Sequence, residues 1–349
     1  MKIGVGKNNS RIVLVLALIF GALLFSCTQS SMPPEQYGLR GQTMGTTYTV
    51  KIVEPKNRLF DQNALKDEID FLLKSVNQVM STYISDSELS LLNRAPAGEW
   101  LPVSHELLTV LQAARLVSDK SGGAFDVTVG PLVNLWGFGP EERSNGVPSD
   151  QEIGARKAVV GWHKLELRPD PPSVRKAVDG MYCDLSAIAK GYGVDRVAEL
   201  LESKGLANYM VEIGGEIRAK GINAKRERWR IGVSSPDAQF AVQRVIAVHD
   251  NGVATSGDYR NYFEQDGVRY SHTIDPVTGR PITHKLASVT VIHPSCMMAD
   301  AFATAVDVLG PDAGMALAER EKLPVFLVVK RDAGFEEVMN SAFAAFIKK

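Results

Sequence analysis

The sequence predicts an α+β fold in which mixed β-sheets are flanked by helices. Three observations carry that expectation. Period-two apolar runs, such as Thr47 to Val53 with Tyr48, Val50 and Ile52 on one face, lie beside helical-period runs such as Leu65, Ile69, Leu72, Leu73, Val76 and Met80. The two kinds of segment do not follow a regular βαβ rhythm, so a doubly wound parallel sheet is not expected. No internal repeat or low-complexity tract interrupts the chain, and no strong linker divides it.

The first element is a leader. Lys2, Lys7 and Arg11 precede an apolar run from Ile12 to Phe25, about 14 residues where a spanning helix needs roughly 20. The run ends in Leu24-Phe25-Ser26-Cys27, which resembles the lipobox of bacterial lipoproteins; the expectation is a signal peptide over 1–26 and lipidation of Cys27. Phe25 is bulkier than the usual residue there, and an uncleaved signal anchor is the alternative. A lipid-anchored protein on the periplasmic side of a bacterial membrane follows, with inner and outer membrane both open. Residues 27–40, rich in Ser, Pro and Gln, read as a flexible tether, and the folded body, 41–349, starts near Gly41.

The full chain has 39 basic and 40 acidic residues. Without residues 1–26 the balance becomes 36 against 40, a net of −4, and nothing in it suggests nucleic acid. Cys183 and Cys296 remain after Cys27, too few for a disulfide framework, and are expected as free, mostly buried thiols.

After the strand at 47–53 and the helix around Leu65 to Met80, a second helix runs from a Ser104 cap through Leu107, Leu108, Leu111 and Leu116 to Gly122-Gly123. Residues 140–160, with Pro140, Gly146 and Pro148, read as an exposed loop. Later strands are expected at Tyr209 to Ile213, Trp229 to Val233, Val245 to His249, Ser288 to His293 and Val325 to Lys330, with helices at about 190–204, 299–309 and 312–321.

Polar segments break this core pattern in a fixed order. Gly41-Gln42-Thr43-Met44-Gly45 is either an ordinary strand entry or a place where a backbone approaches a flat ligand with a thioether beside it. Tyr83 leaves a helix into a polar turn and is either core or a stacking platform. Ala124-Phe125-Asp126 follows the Gly122-Gly123 helix stop. Asp184-Leu185-Ser186-Ala187-Ile188-Ala189-Lys190 sets an acid, a hydroxyl and a lysine around a helix start, where phosphate binds; Asp184 or Ser186 as a plain cap is the simpler alternative. Gly214-Gly215-Glu216 is a paired-glycine break in a strand. Thr255 to Tyr262 and Ser271 to Pro281 carry more polar residues than a turn needs, and His272, just before Ile274-Asp275-Pro276, suits a general base near neutral pH. Asp300 and Thr304, four apart in an apolar helical run, share one face. That face reads as ligands for a hard cation such as Mg2+, or as a first-turn Asp and a back-bonded Thr.

Taken in order, G-x-T-M-G-T-T-Y, S-x-Y, G-G-A-F-D-x-T-V-G-P-L, D-L-S-A-I-A-K-G-Y, G-G-E, S-G-x-Y, S-H-x-I-D-P-x-T-G-R-P and A-D-x-x-x-T resemble the ApbE family of FAD:protein FMN transferases over about residues 41–345. The resemblance implies an ApbE-like flavin transferase fold and an enzyme that uses FAD and Mg2+ to move FMN onto a Ser or Thr hydroxyl of a target protein, releasing AMP. It implies that Met44, Tyr83, Ala124, Phe125, Asp126, Asp184, Lys190 and Ile274 hold FAD, and that the Ala187 carbonyl, Asp300 and Thr304 hold the metal. His272 is the expected base. Some members carry a second Asp where this chain has Ala303. Acceptors, by the same resemblance, bear D-G-x-S/T-G-A-S/T and include subunits of sodium-pumping NADH:quinone reductases and Rnf-type complexes. Two other activities fit the same residues: FAD pyrophosphatase, with water as acceptor, and a non-catalytic FAD carrier.

Overall fold

An eight-stranded sheet forms the centre of the computed structural model, which describes residues 34–55, 60–141, 146–234, 242–257, 262–332 and 334–347. The expected signal segment, Cys27 and the Asp258 to Asn261 part of the Thr255 to Tyr262 stretch lie outside the described residues.

In chain order the elements are β1 (Pro34–Thr43), β2 (Thr46–Pro55), α1 (Gln62–Met80), α2 (Glu88–Arg94), β3 (Leu101–Pro102), α3 (His105–Ser121), α4 (Gly130–Leu135), α5 (Asp150–Lys157), β4 (Leu165–Arg168) and β5 (Ser173–Lys176). They continue with α6 (Ala189–Ser203), β6 (Tyr209–Ile213), β7 (Glu216–Lys220), β8 (Trp229–Ser234), β9 (Val242–Val248), β10 (Asn251–Gly257), β11 (Tyr262–Gln265) and β12 (Val268–Ser271). The last are β13 (Ile274–Asp275), β14 (Arg280–Pro281), β15 (Leu286–His293), α7 (Cys296–Glu321), β16 (Val325–Arg331), β17 (Gly334–Met339) and α8 (Ser341–Ala344).

The central sheet runs β1-β2-β6-β7-β10-β15-β16-β17, and its neighbouring strands are antiparallel. Side chains alternate across it as a period of two requires. Val50, Ile52, Val211, Val289, Val291 and Leu327 face one way, under α1, α3, α6 and α7. Val53, Met210, Val253, Ile292, Phe326 and Val328 face the other, under the β8–β9 hairpin and the chain end at Phe343. Both faces are therefore covered, and the fold is α+β as expected.

The helices form where their caps and stripes dictate. Asp61 accepts from the amides of Asn63 and Ala64 to start α1, whose Leu65, Ile69, Leu73, Val76 and Met80 are buried. Fully buried Ile69 and Leu73 each contribute about 1.5–3 kcal/mol of transfer free energy. Ser104 caps α3 through the Leu107 amide, and Gly122 ends it in the left-handed conformation. Leu116 departs from the expected stripe and is exposed.

Two other expectations are corrected, and a third is refined. The strand β1 begins at Pro34 and pairs with β2 through Pro34–Pro55 to Thr43–Thr46, so residues 34–40, expected as tether, are strand. The 140–160 region is not all loop: Ser149 and Glu152 form a capping box that starts α5, and Ile153 packs into the cluster with Leu132, Trp136 and Ile274. The helices expected at 299–309 and 312–321 are both present as the two halves of α7, separated by a kink at Gly310 (φ 76, ψ −176) beside Pro311, and the first starts earlier, at Cys296.

Among the described residues no helix is long and apolar enough to cross a membrane. Cys183 and Cys296 are free and buried.

Candidate functional site

Two connected spaces open between the ends of the central strands and the helices above them. A cavity of about 450 Å3 is lined by Tyr83, Ala124, Phe125, Asp126, Asp184, Ala187, Lys190, His272, Ile274, Asp300 and Thr304, together with Glu216, Ser256 and Phe138. A groove of about 1130 Å3 adjoins it through Tyr83, Ser186 and Lys190 and is lined further along by Met44. The residues expected at the site between Met44 and Thr304, drawn from segments spread over the chain, therefore meet around one continuous space.

Each wall has a local reason. Met44 and Gly45 are the two central residues of the β1–β2 hairpin, and both have positive φ (50 and 70), as a type I′ turn requires. Met44 is half-buried against the core, and its Cε lies 3.0 Å from where a Cβ on Gly193 would sit. Tyr83 is 72% exposed on the turn between α1 and α2, so it is not core, and its ring faces both spaces. Asp126 is buried; its carboxylate accepts from the Thr128 amide (2.8 Å), the Thr128 hydroxyl (2.7 Å) and the Trp162 amide (2.9 Å). Burial raises its pKa, and those hydrogen bonds work against the rise. Its side chain thus shapes the 124–128 loop.

Asp184 does not cap α6. Its Oδ1 accepts from the Ser186 amide at 2.8 Å and the Ser186 hydroxyl at 2.5 Å, a local turn that precedes the helix and presents Ala187 to the cavity. The N-cap of α6, Ile188, has no side-chain cap bond. Lys190, in the first turn, pairs with Glu216 at 2.7 Å. Burial pushes the ammonium down, but the Asp300 and Glu216 carboxylates outweigh it and hold the pKa above the ordinary lysine value. Burial pushes Glu216 up to about 7 despite Lys190, and burial likewise raises Asp300. Glu216 Oε2 has no hydrogen-bond partner among the described residues.

Asp300 lies beyond the first turn of α7, so the helix dipole does not account for it; Oδ2 accepts instead from the Gly191 amide of α6 at 2.9 Å. Thr304 meets the Ser256 hydroxyl of β10 at 3.3 Å rather than a carbonyl of its own helix among the described residues. Ala303 is fully buried in the apolar core and is not on the cavity wall. His272 leaves β12 beside Phe138, ring centroids 6.3 Å apart and nearly perpendicular, and the next residue, Thr273, donates its hydroxyl to Asp307 of α7 at 3.2 Å.

Two acidic side chains tied to the site escaped the sequence reading. Glu216 was visible only as the end of a glycine break, because nothing local reveals a strand-borne acid opposite a lysine 26 positions earlier. Asp307 had a signal: Asp300, Thr304 and Asp307 follow i, i+4, i+7, one face of α7.

The proposed metal set has one carboxylate, and among the described residues no group of three His, Cys, Asp or Glu is placed to hold an ion. The donor chemistry nevertheless fits a hard divalent cation: the Ala187, Asp300 and Thr304 oxygens share one cavity, and two buried carboxylates there face a single ammonium. As a whole the site can bind a polyanion around Lys190 and a cation, and hold a base near it.

The model of the ApbE family matches residues 44–327. The FAD:protein FMN transferase of Vibrio cholerae serotype O1 is 50% identical over 96% of this chain and 99% of that one. The protein of the same name from Escherichia coli K12 is 38% identical over 95% and 97%. Among solved structures, the flavin transferase ApbE of Vibrio cholerae superposes with a TM-score of 0.84 at 50% identity, covering 90% of this chain and all of that one. The apo flavinyl transferase ApbE of Pseudomonas stutzeri follows at 0.83 and 41%, covering 90% and 97%.

Proposed function

The chain belongs to the ApbE family, and from that premise we infer that it is an FAD:protein FMN transferase, a transferase that moves FMN from FAD to a target protein. The single observation that carries the chemistry is the shared cavity: a base, a lysine and an oxygen-only cation set face one space beside the flavin-sized groove.

In the reading we propose, a Ser or Thr hydroxyl of the acceptor attacks the flavin-side phosphorus. The new O–P bond forms as the bond from that phosphorus to the bridging oxygen breaks, and AMP leaves with the bridging oxygen. His272 takes the hydroxyl proton. Lys190, held by Glu216, places its ammonium against the phosphate oxygens, and the free Oε2 of Glu216 accepts from a ligand hydroxyl. Met44 and Tyr83 receive flat surfaces of FAD, while Ala124, Phe125, Asp126, Asp184 and Ile274 close the cavity around it. Ala187, Asp300 and Thr304 would hold Mg2+, which supplies charge neutralisation for the pyrophosphate when bound. Four carboxylates, Asp126, Asp184, Glu216 and Asp300, line a cavity that must take an anion, which supports the requirement for that cation.

The acceptors we propose carry the D-G-x-S/T-G-A-S/T motif, with subunits of sodium-pumping NADH:quinone reductase and Rnf-type complexes as first candidates. Incubating such an acceptor domain with the protein, FAD and Mg2+ should add an FMN-phosphoryl mass that a chelator abolishes. Free FMN and AMP with no mass shift would instead establish FAD pyrophosphatase, and bound FAD with neither product a carrier. Lipid anchoring at Cys27 on the periplasmic side rests on the basic, apolar and Leu24 to Cys27 pattern. Replacing Cys27 by Ser should move the protein out of the membrane fraction; retention there would count against the anchor.

A further inference from the structure

The helices α6 and α7 are stitched together by two carboxylates that cross in opposite directions. From α7, Asp300 Oδ2 accepts from the Gly191 amide of α6 at 2.9 Å. From α6, Asp195 reaches the start of α7: Oδ2 accepts from the Ser295 hydroxyl at 2.7 Å and the Met297 amide at 3.0 Å, and Oδ1 from the Cys296 amide at 3.0 Å. Asp195 is 6% exposed, and Arg218 of β7 donates to the same Oδ1 at 2.9 Å, so its buried charge is compensated.

An acid from a neighbouring helix thus satisfies amides that the first turn of α7 cannot bond internally. Ser295, the N-cap, is itself held by Asp195 while accepting from the Met298 amide at 3.3 Å. Gly191 and Asp195 are one turn apart on α6, and Cys296 and Asp300 one turn apart on α7, so the two cross-links lie on facing surfaces. At this crossing a Cβ on Gly191 would stand 2.4 Å from the Cys296 carbonyl, so the helices are in near-backbone contact. Any slide of α7 along α6 must break both links.

We propose that Asp195 is a positioning residue for the cation site: it sets the register of α7 against α6, and so the distance of Asp300 and Thr304 from the Ala187 carbonyl at the foot of α6. The inference rests on the metal-dependent reading above. A hard cation tolerates about 0.2 Å of error in ligand distance, so a register change small enough to leave the fold intact is large enough to weaken binding. Partners behind the ligands typically matter by about 10 to 100-fold in metal affinity.

The test uses the full chain and Mn2+ titrated by electron paramagnetic resonance, with FAD affinity measured separately without metal. Asp195→Asn places an amide among donors and should raise the Mn2+ dissociation constant by about 10 to 100-fold. FAD affinity without metal should stay within about twofold, and transfer should recover as Mn2+ is raised, since chemistry at bound FAD is untouched. Ser295→Ala, which removes the Ser295–Asp195 link together with the cap on the Met298 amide and leaves Asp195 in place, should raise the constant by roughly three- to tenfold, the effect of the hydrogen bonds lost. Unchanged Mn2+ affinity in a folded Asp195→Asn chain overturns the proposal, and if that variant does not fold, unchanged affinity in Ser295→Ala does so. A parent chain that binds no Mn2+ overturns the cation site together with the inference, whereas a binding parent and an unaffected variant overturn the inference alone.

Discussion

At the scale of single residues, the site separates groups that hold the ligand from groups that hold other groups. His272 is attached at a junction: β12 ends at Ser271, Thr273 is tied to Asp307, and Phe138 stands across the imidazole, so the ring is directed into the cavity by its neighbours. Replacing it by Ala should leave FAD affinity within about twofold and slow transfer by roughly 10² to 10⁴-fold, the usual contribution of a positioned base. Single-turnover transfer at saturating FAD measures this, and a normal rate would remove His272 from the role. The residue type and its place before Asp275-Pro276 were legible in the sequence. The Lys190–Glu216 pair was legible only in half, since Lys190 belongs to a recognisable helix-start motif while its partner arrives from β7.

At the scale of elements, what matters is how closely α6 approaches α7. Gly191 permits it, because both nearest obstacles to a Cβ, the Cys296 carbonyl oxygen at 2.4 Å and the Asp300 Cβ at 2.8 Å, belong to or adjoin backbone and cannot rotate away. Gly191→Ala should therefore destabilise by about 1–3 kcal/mol through overpacking. Alanine's better helix propensity returns about 1 kcal/mol at most, so the net sign stays unfavourable. Urea unfolding of the variant decides it: a midpoint at or above the parent's would mean that the helices separate without strain. Element existence was read correctly where a stripe and a cap coincide, as in α1 and α3. The reading lost α5, although Ser149 and Glu152 spell a capping box, because the Pro and Gly residues before it dominate the local pattern.

At the scale of the whole molecule, burial of titratable groups in the core sets a pH limit. Cys183 is fully buried, and burial pushes its thiol up to about 12, with the Asp126 carboxylate adding to the rise. A thiol raised in the folded state and ordinary, at 9.0, in the unfolded chain contributes stability that is complete below pH 9 and lost as pH climbs toward 12. Tyr48 and Tyr209, raised by burial and by hydrogen bonds to Asp70 and Glu202, act in the same direction at higher pH. Melting temperatures should accordingly fall from about pH 9 upward, with Cys183 alone accounting for about 1.4 kcal/mol per pH unit. Cys183→Ala should show a shallower fall between pH 9 and 10.5, and parallel curves would refute the assignment. Fold class, family and eleven of the residues that face the cavity were legible in the amino-acid order, because these depend on periodicity and on short motifs whose backbone geometry is local. Only the tertiary structure decided that Glu216 meets Lys190, that Asp307 holds the His272 segment and that Asp195 clamps α7. Those contacts join segments 26 to 102 positions apart, and no local pattern encodes a distance across the core.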